Sequence, residues 1–177
     1  FDSAVLLVID PQCEYTDGKL PLDGIAAATE AIARLQASAR RAGAPIVHVV
    51  QNGRPGSALF DPDGPMARFI PGVEPAADEP TVIKSLPNAF AKTDLDLRLK
   101  ALGRGELIIA GFMTHMCISA TTRAALDLGY RPTVVAEATA TRDLPDGEGG
   151  TVKAADVKRI ALAELADRFA TVVPTLD

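Results

Sequence analysis

Six consecutive apolar residues, Ala4-Val5-Leu6-Leu7-Val8-Ile9, run directly into Asp10 near the start of this 177-residue sequence. A strand with one wet face alternates apolar and polar residues, whereas an unbroken apolar run belongs to a strand buried on both faces. Such a strand needs a layer of structure on each side of its sheet. The rest of the sequence supplies those layers.

Short β-branched runs alternate with helical stretches along the chain. Asp23 is placed to cap a helix whose apolar stripe is Ile25, Ala28, Ile32, Leu35 and Ala39, ending at Gly43. Residues 46–50 and 81–84 read as the second and third strands. Thr93 with Asp96 resembles a capping box ahead of a helix facing the core through Leu95, Leu99 and Leu102 and stopping at Gly103. A fourth strand over 106–110 leads into a helix over 116–128 that ends at Gly129. A fifth strand over 132–136, a helix over 152–166 and a last strand over 169–173 complete the pattern. Strict strand–helix alternation gives parallel pairing through right-handed crossovers. The expected fold is an α/β single domain over 1–177, a three-layer α/β/α sandwich around a mostly parallel, doubly wound six-stranded sheet. Residues 51–80 break the rhythm, holding six of the 13 prolines and four glycines without periodicity. Thirty such residues suggest a lid or an interface loop, the alternative being a plain surface excursion.

Composition removes several functional classes. The formal net charge is −5, and neither half of the chain carries a basic excess, so neither nucleic acid nor an anionic membrane is the expected partner. No apolar run approaches the length of a transmembrane helix. The run at 4–9 has no basic stretch before it and reads as a strand rather than a signal peptide; Phe1 in place of Met is compatible with a trimmed leader. Two cysteines, Cys13 and Cys117, do not make a disulfide framework, and a cytoplasmic location is the default expectation. His48 and His115 are the only histidines, too few for a histidine-rich metal site.

In an open parallel sheet, ligands sit at the carboxyl ends of the strands, near the point where strand order reverses. Asp10, Lys84 and Cys117 all stand at such ends, and Gln51 and Asn52 close the second strand. Taken singly each has a structural explanation: an Asp after a buried first strand occurs in several folds, a strand-ending Lys commonly snorkels, and a lone Cys fills space. Together they are chemically complementary. A helix N-terminus and a nearby ammonium would favour the Cys117 thiolate, a carboxylate within reach could shuttle the proton, and Lys84 would hold Asp10 ionised. Backbone N–H groups in Gly111-Phe112-Met113-Thr114-His115-Met116-Cys117 could form an oxyanion hole, the alternative being an ordinary strand-to-helix connection. An aspartyl phosphatase reading of Asp10 lacks the second aspartate two residues on, since Pro11-Gln12-Cys13 follows. A binding module that keeps the site without turnover is a further alternative.

Val8-Ile9-Asp10-Pro11-Gln12, Lys84 with Asn88-Ala89-Phe90, the 111–117 segment running into 120–125, Leu126–Tyr130 and Thr133–Ala136 together resemble the isochorismatase-like cysteine hydrolases over almost the whole chain. The resemblance implies Asp10 as general base and acid, Lys84 as electrostatic partner and Cys117 as nucleophile. It also implies a non-proline cis peptide between Phe112 and Met113, aiming the Met113 N–H with that of Cys117 at the oxyanion, with Thr114 helping to hold the turn. Metal-binding nicotinamidases carry Asp-x-His after the second strand, where this chain reads Gln51-Asn52-Gly53-Arg54-Pro55. No metal and no cofactor are therefore expected, and nicotinamide is not the expected substrate. Members that cleave the vinyl ether of isochorismate lack the cysteine, so Cys117 favours C–N cleavage. The expected pocket walls are Tyr15, Phe60, Phe90 and Phe112, with Gln51, Asn52 and Arg54 as polar contacts to a small polar substrate. Cys13 stands where the family often has Asn; it is read as packing, with an oxidative link to Cys117 as the alternative. A homodimer or homotetramer is expected.

Overall fold

A computed structural model describes residues 3–176. The first strand, β1 (Ala4–Ile9), is buried over its whole length, as its composition requires. It is followed by α1 (Ile25–Arg41), β2 (Ile46–Gln51), β3 (Thr81–Lys84), α2 (Leu95–Ala101) and β4 (Glu106–Phe112). Then come α3 (Ser119–Asp127), β5 (Arg131–Ala140), a two-residue-per-strand hairpin of β6 (Leu144–Pro145) and β7 (Thr151–Val152), α4 (Ala154–Arg168) and β8 (Thr171–Val173). Six strands form one parallel sheet in the order β3-β2-β1-β4-β5-β8. The chain winds outward from β1 to β3, then crosses back to β4 beside β1 and winds the other way, which is the doubly wound arrangement. The switch point lies between β1 and β4.

The period-2 geometry of β1 divides the core. Ala4, Leu6 and Val8 point into one apolar layer with Ala28, Ala31, Ile32, Leu35 and Ala39 of α1. Val5, Leu7 and Ile9 point into the other, with Leu95 and Leu99 of α2, Ala125 of α3 and Leu165 of α4. One face of the sheet thus has three helices and the other has one. The imbalance explains the irregular 51–80 segment, whose Phe60, Ile70 and Val73 are buried in the α1 layer where a second helix would otherwise lie. Its backbone is fixed by Ile70 N to Pro11 O and Cys13 N to Arg68 O (both 2.8 Å), and Gln36 Nε2 donates to Val73 O at 3.0 Å.

Several local expectations differ. Gly24, at φ 71°, occupies the α1 cap, and Asp23 instead bridges to Thr141 through its backbone N–H. The capping box at Thr93 does not close: Asp94 is the cap residue, and the Asp96 carboxylate takes Lys100 and the Tyr130 hydroxyl. Leu102 lies outside α2 and is exposed. β5 extends to Ala140 rather than ending at 136, because a bulge shifts its register on β4 between Ile109↔Val134 and Gly111↔Thr139.

The end of the 51–80 segment is stapled by Glu79. Its carboxylate receives Arg40 Nε and Nη2 at 2.7 and 2.9 Å, the Ala76 N–H at 2.9 Å, and stands 2.8 Å from Nε2 of the buried His48. The Arg40 guanidinium holds the Glu79 carboxyl at about 2, against a smaller opposing effect of burial. A depressed carboxyl contributes stability that is complete above its ordinary value of 4.5 and is lost as pH falls toward about 2. Acid titration of folding should therefore show a loss over that window that is shallower in Glu79→Gln, measured by urea midpoints; identical slopes in the two proteins would contradict the staple.

Candidate active site

The carboxyl ends of β1, β2, β3 and β4 meet at the switch point. Asp10 leaves β1 in the left-handed region at φ 51°, a conformation that Asp tolerates better than most residues. Its N–H donates to Val49 O at 2.8 Å and its carbonyl accepts the Gln12 N–H at 2.9 Å. Beside it, Gly111 of β4 pairs with Ile9 at φ 121°, and a Cβ there would overlap the Ile9 backbone. Glycine therefore lets β4 lie against β1 at the point where the chain turns. The Phe112–Met113 peptide is cis, and residues Thr114–Ile118 form a π-helical turn leading into α3. Met113 O accepts the N–H groups of Met116 and Ile118, at 3.0 and 3.2 Å. Thr114 is buried in this turn, but its hydroxyl makes no hydrogen bond among the described residues, so it fills space rather than tying the turn.

Lys84, at the end of β3, joins the cluster. Its Nζ lies 2.8 Å from Asp10 Oδ2, donates to Gln51 Oε1 at 2.7 Å and to Cys117 Sγ at 3.4 Å. Both partners of the ion pair have fully buried side chains, and apart from that pair neither Asp10 oxygen accepts a well-formed hydrogen bond. Gln51 is held from behind: the side chain of buried Gln12 accepts the Gln51 N–H at 2.8 Å and donates to Gln51 O at 2.9 Å. Burial raises the Asp10 carboxyl and the Lys84 ammonium opposes it. For Cys117, burial comes first and the Asp10 charge second; together they outweigh Lys84 and push the thiol up to about 12. Burial and the carboxylate next to the sulfur thus act against the thiolate that the sequence reading expected, and Lys84 acts for it.

A cavity of about 310 Å³ opens onto Cys117 and Met113. Tyr15, Gln51 and Phe60 line the cavity, together with Leu20, Leu59, Pro87, Met116 and Arg142, which sequence reasoning missed. Phe112 stands one layer back, its ring 5.9 Å from Tyr15 and edge-on to it. Asn52 and Arg54 are not among the lining residues; Asn52 N donates to Lys84 O at 2.9 Å, and Arg54 is exposed. Phe90 stacks on Tyr130 with centroids 5.9 Å apart, away from the cavity. The neighbouring Ala89 N–H donates to Thr121 Oγ1 at 3.0 Å, which ties the chain after Lys84 to α3. Cys13 is unpaired, opens onto a different hollow beside Arg68 and Glu74, and directs its Sγ at Phe69 O. A larger hollow of about 570 Å³ lies at the opposite end of the strands, among Arg40, Pro45, Ile46 and Glu79, and has no nucleophilic side chain in its wall.

A doubly wound sheet with a buried acid, a lysine and a thiol at its switch point defines a class of small α/β hydrolases. The isochorismatase domain model matches residues 4–177, and the chain belongs to the isochorismatase family. It is 37% identical to the secreted isochorismatase effector Isc1 of Verticillium dahliae, over 98% of this chain and 89% of that protein. It is likewise 37% identical to a streptothricin hydrolase of Streptomyces noursei, over 92% of this chain and 59% of that longer protein. A maleamate amidohydrolase of Pseudomonas putida is 34% identical over 75% of this chain and 70% of its own. The crystal structure of an isochorismatase from Pseudomonas putida superposes with a TM-score of 0.94 at 46% identity, covering 98% of this chain and 88% of that one.

The protonation state of Cys117 is directly measurable. The ultraviolet thiolate absorbance, as a difference between the protein and Cys117→Ala, should show no step between about pH 6 and 9. A step in that range would contradict the neutral thiol.

Proposed function

We propose that this chain is a cysteine-dependent hydrolase that cleaves the C–N bond of a small amide or ureido compound through a thioester on Cys117. The observation that carries the reading is Lys84 Nζ standing between Asp10 and Cys117, 2.8 Å from one and 3.4 Å from the other, with Cys117 in the wall of a cavity. With the resting sulfur protonated, attack and proton transfer occur together: Cys117 Sγ bonds to the substrate carbonyl carbon as its proton passes to Asp10. Burial raises the basicity of this carboxyl, which favours it as the proton acceptor. The oxyanion is received by the Met113 and Cys117 N–H groups. Asp10 then gives its proton to the departing nitrogen as the C–N bond breaks, and finally activates the water that hydrolyses the thioester. Lys84 balances the charge of Asp10 in the steps where the carboxyl is ionised.

Supporting the reading at the family level, members act on amides, the maleamate amidohydrolase among them. The preferred partner is a small molecule, with copies of the chain associating as a homodimer or homotetramer through exposed apolar side chains such as Ile83 and Leu97, 61% and 72% exposed. A cytoplasmic setting fits the two unpaired cysteines, although one relative is named a secreted effector.

The test is ammonia release from a panel of small amides and ureido acids. Cys117→Ala and Asp10→Asn should each lower kcat by at least about 10³-fold on every amide the parent protein processes. Retention of full turnover by Cys117→Ala would overturn the mechanism.

A further inference from the structure

Two separate stretches of chain supply much of the apolar wall of the cavity. Tyr15 and Leu20 follow β1, while Leu59 and Phe60 come from the irregular 51–80 segment. Neither stretch belongs to a strand or an α-helix, so no regular ladder of main-chain bonds sets the distance between them. Glu14 spans the gap. It is buried, yet it takes no part in the cluster of Asp10, Lys84 and Cys117. Its Oε1 accepts the Lys19 N–H at 2.7 Å, and its Oε2 accepts the Phe60 N–H at 3.1 Å. The Glu14 carbonyl accepts the Leu20 N–H at 3.2 Å. This close approach needs Gly18, where a Cβ would overlap Glu14 itself.

Phe60 depends on that hold. It sits at φ 52°, in the left-handed region that residues with a Cβ rarely adopt. Glu14 takes its N–H, and its carbonyl accepts the Gly53 N–H at 2.8 Å, so both main-chain groups are fixed. The ring then lies edge-on to Tyr15 with centroids 5.4 Å apart. Leu59 is held alongside, its carbonyl accepting the Ser57 hydroxyl at 2.7 Å. The two donors call for a carboxylate, which offers an acceptor to each, whereas a glutamine would turn its NH₂ group toward one of them. Glu14 stands four residues beyond Asp10, so the wall and the reacting groups are referenced to the same strand end. At about 310 Å³ the cavity is at the small end of ligand pockets, and a long chain enters only if this wall yields.

We propose that Glu14 is a positioning residue that limits the size of the group accepted beside Cys117, by clamping Phe60 and the turn before Leu20 through its two carboxylate oxygens. Applied to substrates, the limit rests on the C–N hydrolase reading and selects amides with short acyl groups; the clamp itself does not rest on it.

Two measurements separate clamp from reaction. The first compares kcat/KM for propanamide and hexanamide. The parent protein should favour the shorter amide by at least about 10²-fold, and Glu14→Gln should lower that preference about tenfold. Phe60→Ala should lower it to a similar extent, and adding Glu14→Gln to Phe60→Ala should change it by less than about twofold. A merely structural role would reduce both rates together and leave their ratio unmoved. An unchanged ratio in Glu14→Gln overturns the proposal, as does a full tenfold effect in the Phe60→Ala background. Should Glu14→Gln not fold, Glu14→Asp, which keeps the charge on a shorter stem, carries the same comparison with an expected shift of about threefold. The second measurement needs no turnover. In Cys13→Ser, Cys117 is alkylated by iodoacetamide and by N-pentyl iodoacetamide, each rate being divided by that of free cysteine. The bulkier reagent should be disfavoured by at least about tenfold, and Glu14→Gln should remove most of that difference. A shifted alkylation ratio in a protein that releases ammonia from no amide leaves the clamp standing and sinks the hydrolase reading. Amide turnover with neither ratio moved by Glu14→Gln sinks the clamp alone.

Discussion

The Asp10–Lys84 ion pair is the interaction on which the site depends. Two fully desolvated charges 2.8 Å apart are tolerable only as a pair, and the same lysine reaches Gln51 and Cys117. Each member comes from the end of a different strand, so the pair also fixes how β1 and β3 end relative to each other across β2. The Gln12 side chain, bonded to both backbone groups of Gln51, keeps the intervening strand end in place. Stability and chemistry therefore share one set of contacts here. Loss of one charge would strand the other and misplace the thiol.

Burial sets the chemical character of the cluster. Taken out of water, the carboxyl becomes more basic and the thiol less acidic, and the ammonium between them moderates both shifts. In the proposed mechanism the proton therefore stays on sulfur until a substrate carbonyl arrives. A dry, preorganised site of this kind spends no binding energy on reorienting water at the moment of reaction.

Much of this was legible in the residues. The apolar run of β1 announced a strand covered on both faces, and strand–helix alternation gave the parallel sheet and so the rim where Asp10, Lys84 and Cys117 meet. The cis bond before Met113 came from resemblance and had no other signal. What could not be read were features set by tertiary contact. Residues 51–80 have no period because they pack as irregular chain against the sheet, with Phe60, Ile70 and Val73 as separate anchors. Arg142 escaped notice because β5 seemed to end at 136; the bulge carries the strand on to Ala140 and so delivers Thr141 and Arg142 to the rim. Phe90 looked like a pocket wall by its place after Lys84, but Tyr130 offered it a stacking partner. The upward push on the thiol could not be read either, because the nearness of Asp10 to Cys117, and the depth of both, are properties of the fold.

The most direct test of the central claim is a double-mutant cycle on the ion pair, read as unfolding free energy in denaturant. Asp10→Asn and Lys84→Met should each cost about 3–5 kcal/mol, because each leaves a buried group without its partner. The double variant should be more stable than the sum of the two losses predicts, by at least about 1 kcal/mol. Strict additivity would contradict it, by showing that the two side chains hold their places independently.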